Sequence, residues 1–308
     1  MLGFSLCGCQ RIAENNDIDI VCTVFPIYDW VMNIIGDTEG VEVTLLVKNG
    51  TDPHSYSPTP TDIAKIYSCD MLIYVGGESD AWLEDVLDGV VNEDMVEVRL
   101  LELLGDRAFL HEHEDDVICD DDCHEHHHEG ENAYDEHVWL SIKNAVYLCE
   151  RLLEELKPVL AAEAIISNAE DYISSLLSLD AEYERAVSES ARKTLLFADR
   201  FPFRYLTEDY GIEYFAAFSG CAADVEASFE TITRLAKKTD ELSLGYVLIL
   251  ESSDHSLAQT VIESSKSKSA GILVMDSMQS VTETDMENGV SYISIMRENL
   301  AALKTALE

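Results

Sequence analysis

Basic residues are scarce in this chain. Its 308 residues include 60 Asp and Glu but only 20 Lys and Arg, which gives a formal net charge of −40 at pH 7. A charge of this sign and size repels phosphate backbones and anionic lipid headgroups. The composition therefore excludes nucleic acid as a partner and favours cations.

Long apolar runs are also missing, and none is long enough to span a bilayer as a helix. Near the N-terminus, LCGC (6–9) has the form of a bacterial lipobox, in which the last cysteine is acylated. No Lys or Arg precedes that cysteine, so we expect the signal peptide in this sequence to be incomplete. We expect residues 1–17 to be signal and linker, and Cys9 to anchor the protein on the outer face of the bacterial cell membrane.

The eight cysteines show no spacing typical of a small disulfide framework. Cys22, Cys69 and Cys149 fall in apolar surroundings, which predicts buried thiols. Cys119 and Cys123 lie in an acidic, histidine-rich stretch, where a disulfide and metal binding are both open.

Glycine is absent from Val138 to Ala191, and Pro158 is the one strong helix breaker there. Apolar residues recur at helical spacing through this stretch. A helix of roughly thirty residues would be about 45 Å long at 1.5 Å per residue. We expect the helical region 138–192 to contain a long rigid helix that joins two lobes.

Apolar, β-branched runs alternate with helical patterns on both sides of this region, which indicates parallel sheets with crossover helices. The predicted fold is α/β, with two lobes, each a mainly parallel sheet flanked by helices, covering residues 18–137 and 193–308. The predicted strands are 18–25, 41–47, 71–75 and 95–98, then 194–198, 212–218, 246–250 and 272–276. Ligands bind such sheets at the carboxyl ends of strands, so the interlobe cleft is the expected site.

Two histidines are placed as candidate ligands in that cleft. His54 follows Pro53 in a strand-end loop that prolines stiffen. His137, in YDEHVWLS, begins the helical region, and a neighbouring carboxylate can accept its second ring N–H and fix the tautomer. Histidines in loops and caps also occur without any ligand role, so both remain candidates on these features alone.

Six of the nine histidines lie in an acidic segment between the halves. Residues 111–136 contain twelve Asp and Glu and no basic residue, so we expect the loop 106–136 to be mobile and to bury no core. It is expected to bind several metal ions weakly near the cleft, and a solvated insertion with incidental affinity is the alternative. The candidate ligands in it are His111, His113, His124, His126, His127 and His128.

Several longer motifs occur together in one order: DPHSYSPTPTDI, DEHVWLSIKNA, ADRFPFRYLTEDYGIEYFAAFSGC and LVMDSMQSVT. They resemble the solute-binding lipoproteins of bacterial ABC importers for zinc and manganese, and the resemblance covers about residues 19 to 308. It implies two α/β lobes joined by a long rigid helix, with a metal buried between them. It also implies that His54 and His137 are ligands from the first lobe, and Asp276 an acidic ligand from the second.

The chain departs from the family pattern at Arg200. The family commonly has His or Glu there, and a protonated guanidinium cannot coordinate a cation. Glu251 is the favoured replacement. Asp199, His255, Cys221 and a water molecule are the other possibilities, with His255 expected to be exposed. Arg200 is expected to lie with Asp199 beside the ligands and to pair with Glu251 or Asp276.

A set of imidazoles and carboxylates suits tetrahedral Zn²⁺ and also accepts Mn²⁺. Zinc is favoured, because affinity rises along the divalent series and zinc-specific members of the family carry a His/Asp-rich loop before the second histidine.

The implied function is capture of Zn²⁺ outside the cell, by a monomer, for delivery to a membrane permease and its ATPase. A manganese-binding protein or an adhesin of the same fold is the alternative. We expect no enzyme, because the sequence has no H-E-x-x-H motif of a zinc hydrolase and no Ser or Cys nucleophile that can be assigned next to a base.

Overall fold

The first sheet is formed by apolar runs of the N-terminal half. In the computed structural model, which describes residues 17–90, 92, 94–109, 134–160, 163–218 and 227–308, all its strands are parallel. The strands are β1 (Ile18–Cys22), β2 (Val41–Leu45), β3 (Met71–Tyr74) and β4 (Val96–Arg99), in the order β2-β1-β3-β4. The helices of this lobe are α1 (Phe25–Ile35), α2 (Pro60–Ser68), α3 (Trp82–Leu87) and α4 (Leu100–Leu104).

The glycine-free region forms two helices, α5 (Ile142–Leu156) and α6 (Ala164–Glu189). α6 has 26 residues, which corresponds to a length of about 39 Å at 1.5 Å per residue. It packs against α5 and α1, and against the C-terminal helix. The structure therefore has the long helix between the lobes that the sequence predicts.

The second sheet has the same design as the first. Its parallel strands are β5 (Thr194–Phe197), β6 (Glu213–Ala216), β7 (Tyr246–Leu250) and β8 (Gly271–Met275), in the order β6-β5-β7-β8. The helices are α7 (Arg204–Tyr210), α8 (Phe229–Glu241), α9 (Ser256–Ser264), α10 (Glu283–Glu287) and the C-terminal α11 (Tyr292–Leu307). The two-lobe parallel α/β prediction is confirmed.

The lobes share a continuous apolar core next to the cleft. One cluster of buried side chains includes Ile20 of the first sheet and Leu248 of the second. Buried Trp139 donates its indole N–H to the Ser277 carbonyl at 2.9 Å, and the Tyr292 hydroxyl donates to the Trp139 carbonyl at 2.6 Å. These contacts fix the start of the helical region against the second lobe.

The first predicted strand is wrong at its C-terminal end. The sequence predicts a strand to Phe25, but β1 ends at Cys22 and α1 begins at Phe25. Pro26 lies in the first turn of α1, where its missing N–H costs no hydrogen bond and its fixed φ suits the helix. The proline therefore starts the helix earlier than the apolar run suggests.

The thiols of Cys22, Cys69 and Cys149 are free and buried, as predicted. Within the part of the chain that the structure describes, no helix has the length and apolarity needed to cross a bilayer. Several predicted groups lie outside the described residues: Cys9, Cys119, Cys123, Cys221, His111, His113, His124, His126, His127 and His128.

Candidate metal centre

His54 lies in a short 3₁₀ helix, Pro53–Ser55, after β2. The Asp52 carboxylate caps this turn, because its Oδ1 accepts the backbone N–H of His54 at 3.0 Å. The side chain of His54 is 19% exposed. A proline and a capping carboxylate thus hold the imidazole at the edge of the cleft, as the sequence predicts for a preorganised loop.

His137 precedes a second 3₁₀ helix, Val138–Leu140, and its side chain is only 1% exposed. Oδ1 of Asp135 accepts the His137 backbone N–H at 3.0 Å and lies 2.8 Å from the ring Nδ1. The Asp135 carbonyl accepts the Tyr205 hydroxyl of the second lobe at 2.9 Å. The predicted carboxylate partner of His137 is therefore Asp135.

Glu136 orients the imidazole of His54, as Asp135 orients that of His137. Its Oε1 lies 3.0 Å from His54 Nδ1, and its Oε2 accepts the backbone N–H of Ser79 at 2.9 Å and the Ser79 hydroxyl at 2.6 Å. Burial raises the pKa of Glu136, but the hydrogen bond from His54, the charges of His137 and His54, and the Ser79 hydroxyl lower it to about 2. Glu136 is therefore a buried carboxylate that stays ionised at neutral pH.

The two imidazoles face each other, with ring centroids 5.5 Å apart. Because each Nδ1 is beside a carboxylate, we assign the ring proton to Nδ1, which leaves the lone pair of Nε2 for a ligand. Both Nε2 atoms point to the same place, the side-chain nitrogen of Gln279, at 3.0 Å from His54 and 3.1 Å from His137. Imidazoles oriented by carboxylates and converging through Nε2 are typical of metal sites.

Gln279 was not predicted. It follows β8, is 5% exposed, and reaches the two histidines from the second lobe. Its sequence context, LVMDSMQSVT, contains Asp276 as the more conspicuous candidate. An uncharged amide in a loop matches no ligand spacing rule, so sequence reasoning had no signal for its position.

Asp276 and Glu251 lie together on the second lobe. Glu251 accepts the Ser277 backbone N–H at 2.9 Å and the hydroxyls of Ser277 and Ser280 at 2.8 and 3.2 Å. Asp276 accepts the Met278 backbone N–H at 2.7 Å. Burial, and next the charge of Glu251, raise the pKa of Asp276 above its ordinary value.

The structure brings only some of the predicted ligands together. Among the described residues, one group of three or more His, Cys, Asp or Glu side chains has ligand atoms that all lie within 4.8 Å of one another, and it consists of His54, Glu136 and His137. Asp276 and Glu251 are outside this group, and their ligand roles remain predictions.

Arg200 forms an ion pair with Asp52 of the opposite lobe, with Nη1 2.9 Å from Oδ2. This partner was not among those predicted. The neighbouring Asp199 accepts the backbone N–H groups of Arg200 at 2.8 Å and Leu250 at 3.1 Å, which ties the ends of β5 and β7 together. His255 is exposed, as predicted, and directly precedes α9.

Comparison with known proteins finds zinc-uptake and zinc-binding relatives. A family described as "ZnuA: Zinc-uptake complex component A periplasmic" matches residues 20–306. Zinc-binding lipoprotein AdcA of Streptococcus pneumoniae is 33% identical over 303 residues, which cover 97% of this chain and 57% of AdcA. High-affinity zinc uptake system protein ZnuA of Bacillus subtilis is 26% identical over 305 residues, covering 96% and 89% of the two chains. The chain thus spans little more than half the length of AdcA.

Solved structures share the fold. The Zn(II)-bound ZnuA-like domain of Streptococcus pneumoniae AdcA matches with a TM-score of 0.73 and 28% identity, covering 94% of this chain and 99% of that domain. The periplasmic zinc binding protein TroA from Treponema pallidum matches with a TM-score of 0.73 and 20% identity, covering 94% and 99%, which supports the fold alone. With the family match extending over nearly the whole chain, this protein belongs to the family of the periplasmic zinc-uptake component A.

Proposed function

We propose that this protein is the extracytoplasmic solute-binding component of an ABC importer, which captures Zn²⁺ and delivers it to a membrane permease with its ATPase. The observation that carries the proposal is the convergence of His54 Nε2 and His137 Nε2 on one point in the cleft. Each ring is oriented by an ionisable carboxylate, Glu136 or Asp135, as ligand histidines commonly are. The uptake and zinc-binding names of the relatives support the same cargo.

In the proposed site the first lobe supplies both imidazoles and the second lobe supplies the acidic ligand. Asp276 and Glu251 are the proposed candidates for that ligand, because they follow β8 and β7 and are partly buried. Arg200 and Asp199 are proposed to lie beside the ligands without binding the ion. Imidazole nitrogen favours zinc over manganese, and manganese is the runner-up cargo.

The family is one of uptake components, so the hydrolase considered from the sequence is set aside. We further propose a monomer of which residues 1–17 are signal and linker and Cys9 is the lipid anchor. The lobes are proposed to cover residues 18–137 and 193–308, with the helical region 138–192 between them. The loop 106–136 is proposed to raise the local Zn²⁺ concentration through its histidines.

Equilibrium dialysis against buffered Zn²⁺ tests the proposal. We expect one tight Zn²⁺ per molecule in the wild type and in a variant lacking residues 111–130. The tight site should be lost in His54→Ala and in His137→Ala. His255→Ala is the matched control, because it removes an exposed histidine of the second lobe and should bind as the wild type does.

A second pair of measurements separates the cargo from the transport role. Competition between Zn²⁺ and Mn²⁺ should leave zinc bound, and retention of manganese would favour the runner-up. Cells that depend on this protein for growth in zinc-depleted medium should stop growing when they carry His137→Ala. Loss of the tight site on loop deletion, with binding intact in His54→Ala and His137→Ala, would overturn the assignment.

A further inference from the structure

Tyr205 of the second lobe is hydrogen-bonded to two residues of the first lobe that lie on either side of the histidine-rich segment. Its hydroxyl accepts the Phe109 backbone N–H at 2.9 Å and donates to the Asp135 carbonyl at 2.9 Å. Phe109 and Asp135 are also bonded to each other, since the Phe109 carbonyl accepts the Asp135 backbone N–H at 2.8 Å. These hydrogen bonds connect α7 to both ends of the segment.

The rest of the Tyr205 side chain holds the hydroxyl in one orientation. Its ring stacks on the Phe109 ring, with centroids 4.6 Å apart and an angle of 14° between the planes. Tyr205 is buried, and this burial raises its pKa. The hydroxyl therefore keeps its proton at neutral pH and remains a donor to the Asp135 carbonyl.

Asp135 transmits the position of Tyr205 to His137. Oδ1 of Asp135 accepts the His137 backbone N–H at 3.0 Å and lies 2.8 Å from the ring Nδ1. Both residues are buried, so water does not replace these bonds easily. A displacement of the Asp135 backbone would move its carboxylate, and with it the imidazole of His137.

We propose, on the basis of the function proposed above, that Tyr205 is a positioning residue for the metal site. It fixes the backbone of Asp135 from the opposite lobe, and Asp135 in turn fixes the ring of the candidate ligand His137. Tight binding by this first-lobe ligand therefore depends on the place of α7 in the second lobe. The histidine-rich segment itself is not needed for this effect, because the hydrogen bonds join its two ends.

Tyr205→Phe keeps the stacked ring but removes both bonds of the hydroxyl. We expect the affinity of the tight Zn²⁺ site, measured by chelator competition, to fall by about tenfold, as is typical when a residue behind a metal ligand is changed. The same loss is expected when residues 111–130 are also deleted. A loss confined to the protein with the segment intact would contradict the route through Asp135.

Tyr210→Phe is the matched control for this change. Tyr210 is also a buried tyrosine of α7, its ring stacks on Tyr183, and its hydroxyl donates to Asp180 of α6 at 2.8 Å. Its loss should destabilise the fold in the same way but leave Zn²⁺ affinity at the wild-type value. Equal affinities of Tyr205→Phe and Tyr210→Phe would overturn the proposal.

A double-mutant cycle with Asp135→Ala tests whether Tyr205 acts through Asp135. Substitutions that act through one shared partner are not additive. Tyr205→Phe should therefore lower Zn²⁺ affinity by about tenfold in the wild type and by less than about twofold in Asp135→Ala. Equal losses in the two backgrounds would show that Tyr205 does not work through the Asp135 carboxylate, and would refute the proposal.

Amide hydrogen exchange gives a readout that needs no Zn²⁺. The backbone N–H of Phe109 is donated to Tyr205, and that of His137 is donated to Asp135. Both should exchange faster in Tyr205→Phe than in Tyr210→Phe, because local opening becomes easier. An unchanged rate at His137 would count against the proposal.

The same amides answer the question if Tyr205→Phe does not fold. In the wild type, exchange at Phe109 and His137 should depend on low urea concentrations in the same way, because one hydrogen-bonded unit opens as a whole. Different dependences would refute the proposal. Failure of the proposed function appears separately, as the absence of tight Zn²⁺ binding by the wild type.

Discussion

Arg200 and Asp52 form an ion pair across the cleft, with 2.9 Å between Nη1 and Oδ2. The other oxygen of the same carboxylate accepts the backbone N–H of His54 at 3.0 Å. Both side chains are largely shielded, at 16% and 28% exposure. The positive charge of Arg200 is thus held next to Asp52, the residue that precedes the turn carrying the candidate ligand His54.

The Arg200 charge is expected to oppose cation binding. In Arg200→Met the opposing charge is lost and Asp52 keeps its bond to His54, so Zn²⁺ affinity should rise by about tenfold at low salt. The gain should shrink at high salt, because screening weakens interactions between partly exposed charges. Chelator competition at two ionic strengths measures both effects.

Arg297→Met is the control for this change, since Arg297 is exposed and pairs with Glu182 of α6 at 3.5 Å, and it should leave affinity unaltered. A fall in affinity in Arg200→Met would instead mean that the ion pair is needed to hold the His54 turn.

Gly77 is needed for the position of Glu136. A Cβ added at Gly77 would lie 2.5 Å from the Glu136 Cβ and still closer to one carboxylate oxygen. Gly77→Ala should therefore push Glu136 away from His54 Nδ1 and lower Zn²⁺ affinity by about tenfold. Equilibrium dialysis measures the change. In Gly245→Ala, where no described atom lies within 4 Å of the added Cβ, affinity should stay at the wild-type value.

Replacing an orienting carboxylate should weaken Zn²⁺ binding less than replacing a ligand histidine. Glu136→Gln and Asp135→Asn keep similar shapes but lose the charge that holds each Nδ1 proton. We expect each to lower Zn²⁺ affinity by about 10- to 100-fold while keeping one site per molecule. Glu102→Gln, an exposed carboxylate of α4, is the control. Complete loss of the site in Glu136→Gln, as in His54→Ala, would identify Glu136 as a ligand.

The sequence predicts the sheets and the two histidines because these depend on local signals. Alternating apolar runs and helical periods define the lobes, and prolines beside His54 mark a stiff strand-end loop. Asp135 could also be predicted, because it is a carboxylate close to His137 in the chain. Such features need only neighbouring residues to be recognised.

Contacts between the lobes were not predictable in the same way. Gln279 is 225 residues from His54 and 142 from His137, and the Arg200–Asp52 pair spans 148 residues. Within the first lobe, Glu136 is adjacent to His137 yet orients His54, which lies 82 residues earlier in the chain. One sequence contains no signal for these pairings, since they arise only when two strand-end loops are brought together.

Asp29 offers a test of stability that is independent of the metal site. It is buried in α1 and accepts the Tyr172 hydroxyl of α6 at 2.9 Å. Burial raises its pKa from 3.8 to about 6, despite the opposing hydrogen bonds from Tyr172 and the Tyr292 backbone. The folded state therefore holds this proton more tightly than the unfolded state does. Stability from it is complete below pH 4 and is lost as the pH rises through about 6.

Asp29→Asn removes this dependence while keeping a side-chain oxygen for Tyr172. The free energy of unfolding of the variant minus that of the wild type should grow by up to roughly 3 kcal/mol between pH 4 and pH 7, and stay level above it. Urea unfolding of the metal-free proteins at several pH values measures this difference, in which most other titrating groups cancel. Asp171→Asn, at an exposed position on α6, is the control for the removal of one surface carboxylate. A flat difference for Asp29→Asn would mean that this carboxylate titrates alike in the folded and unfolded chains.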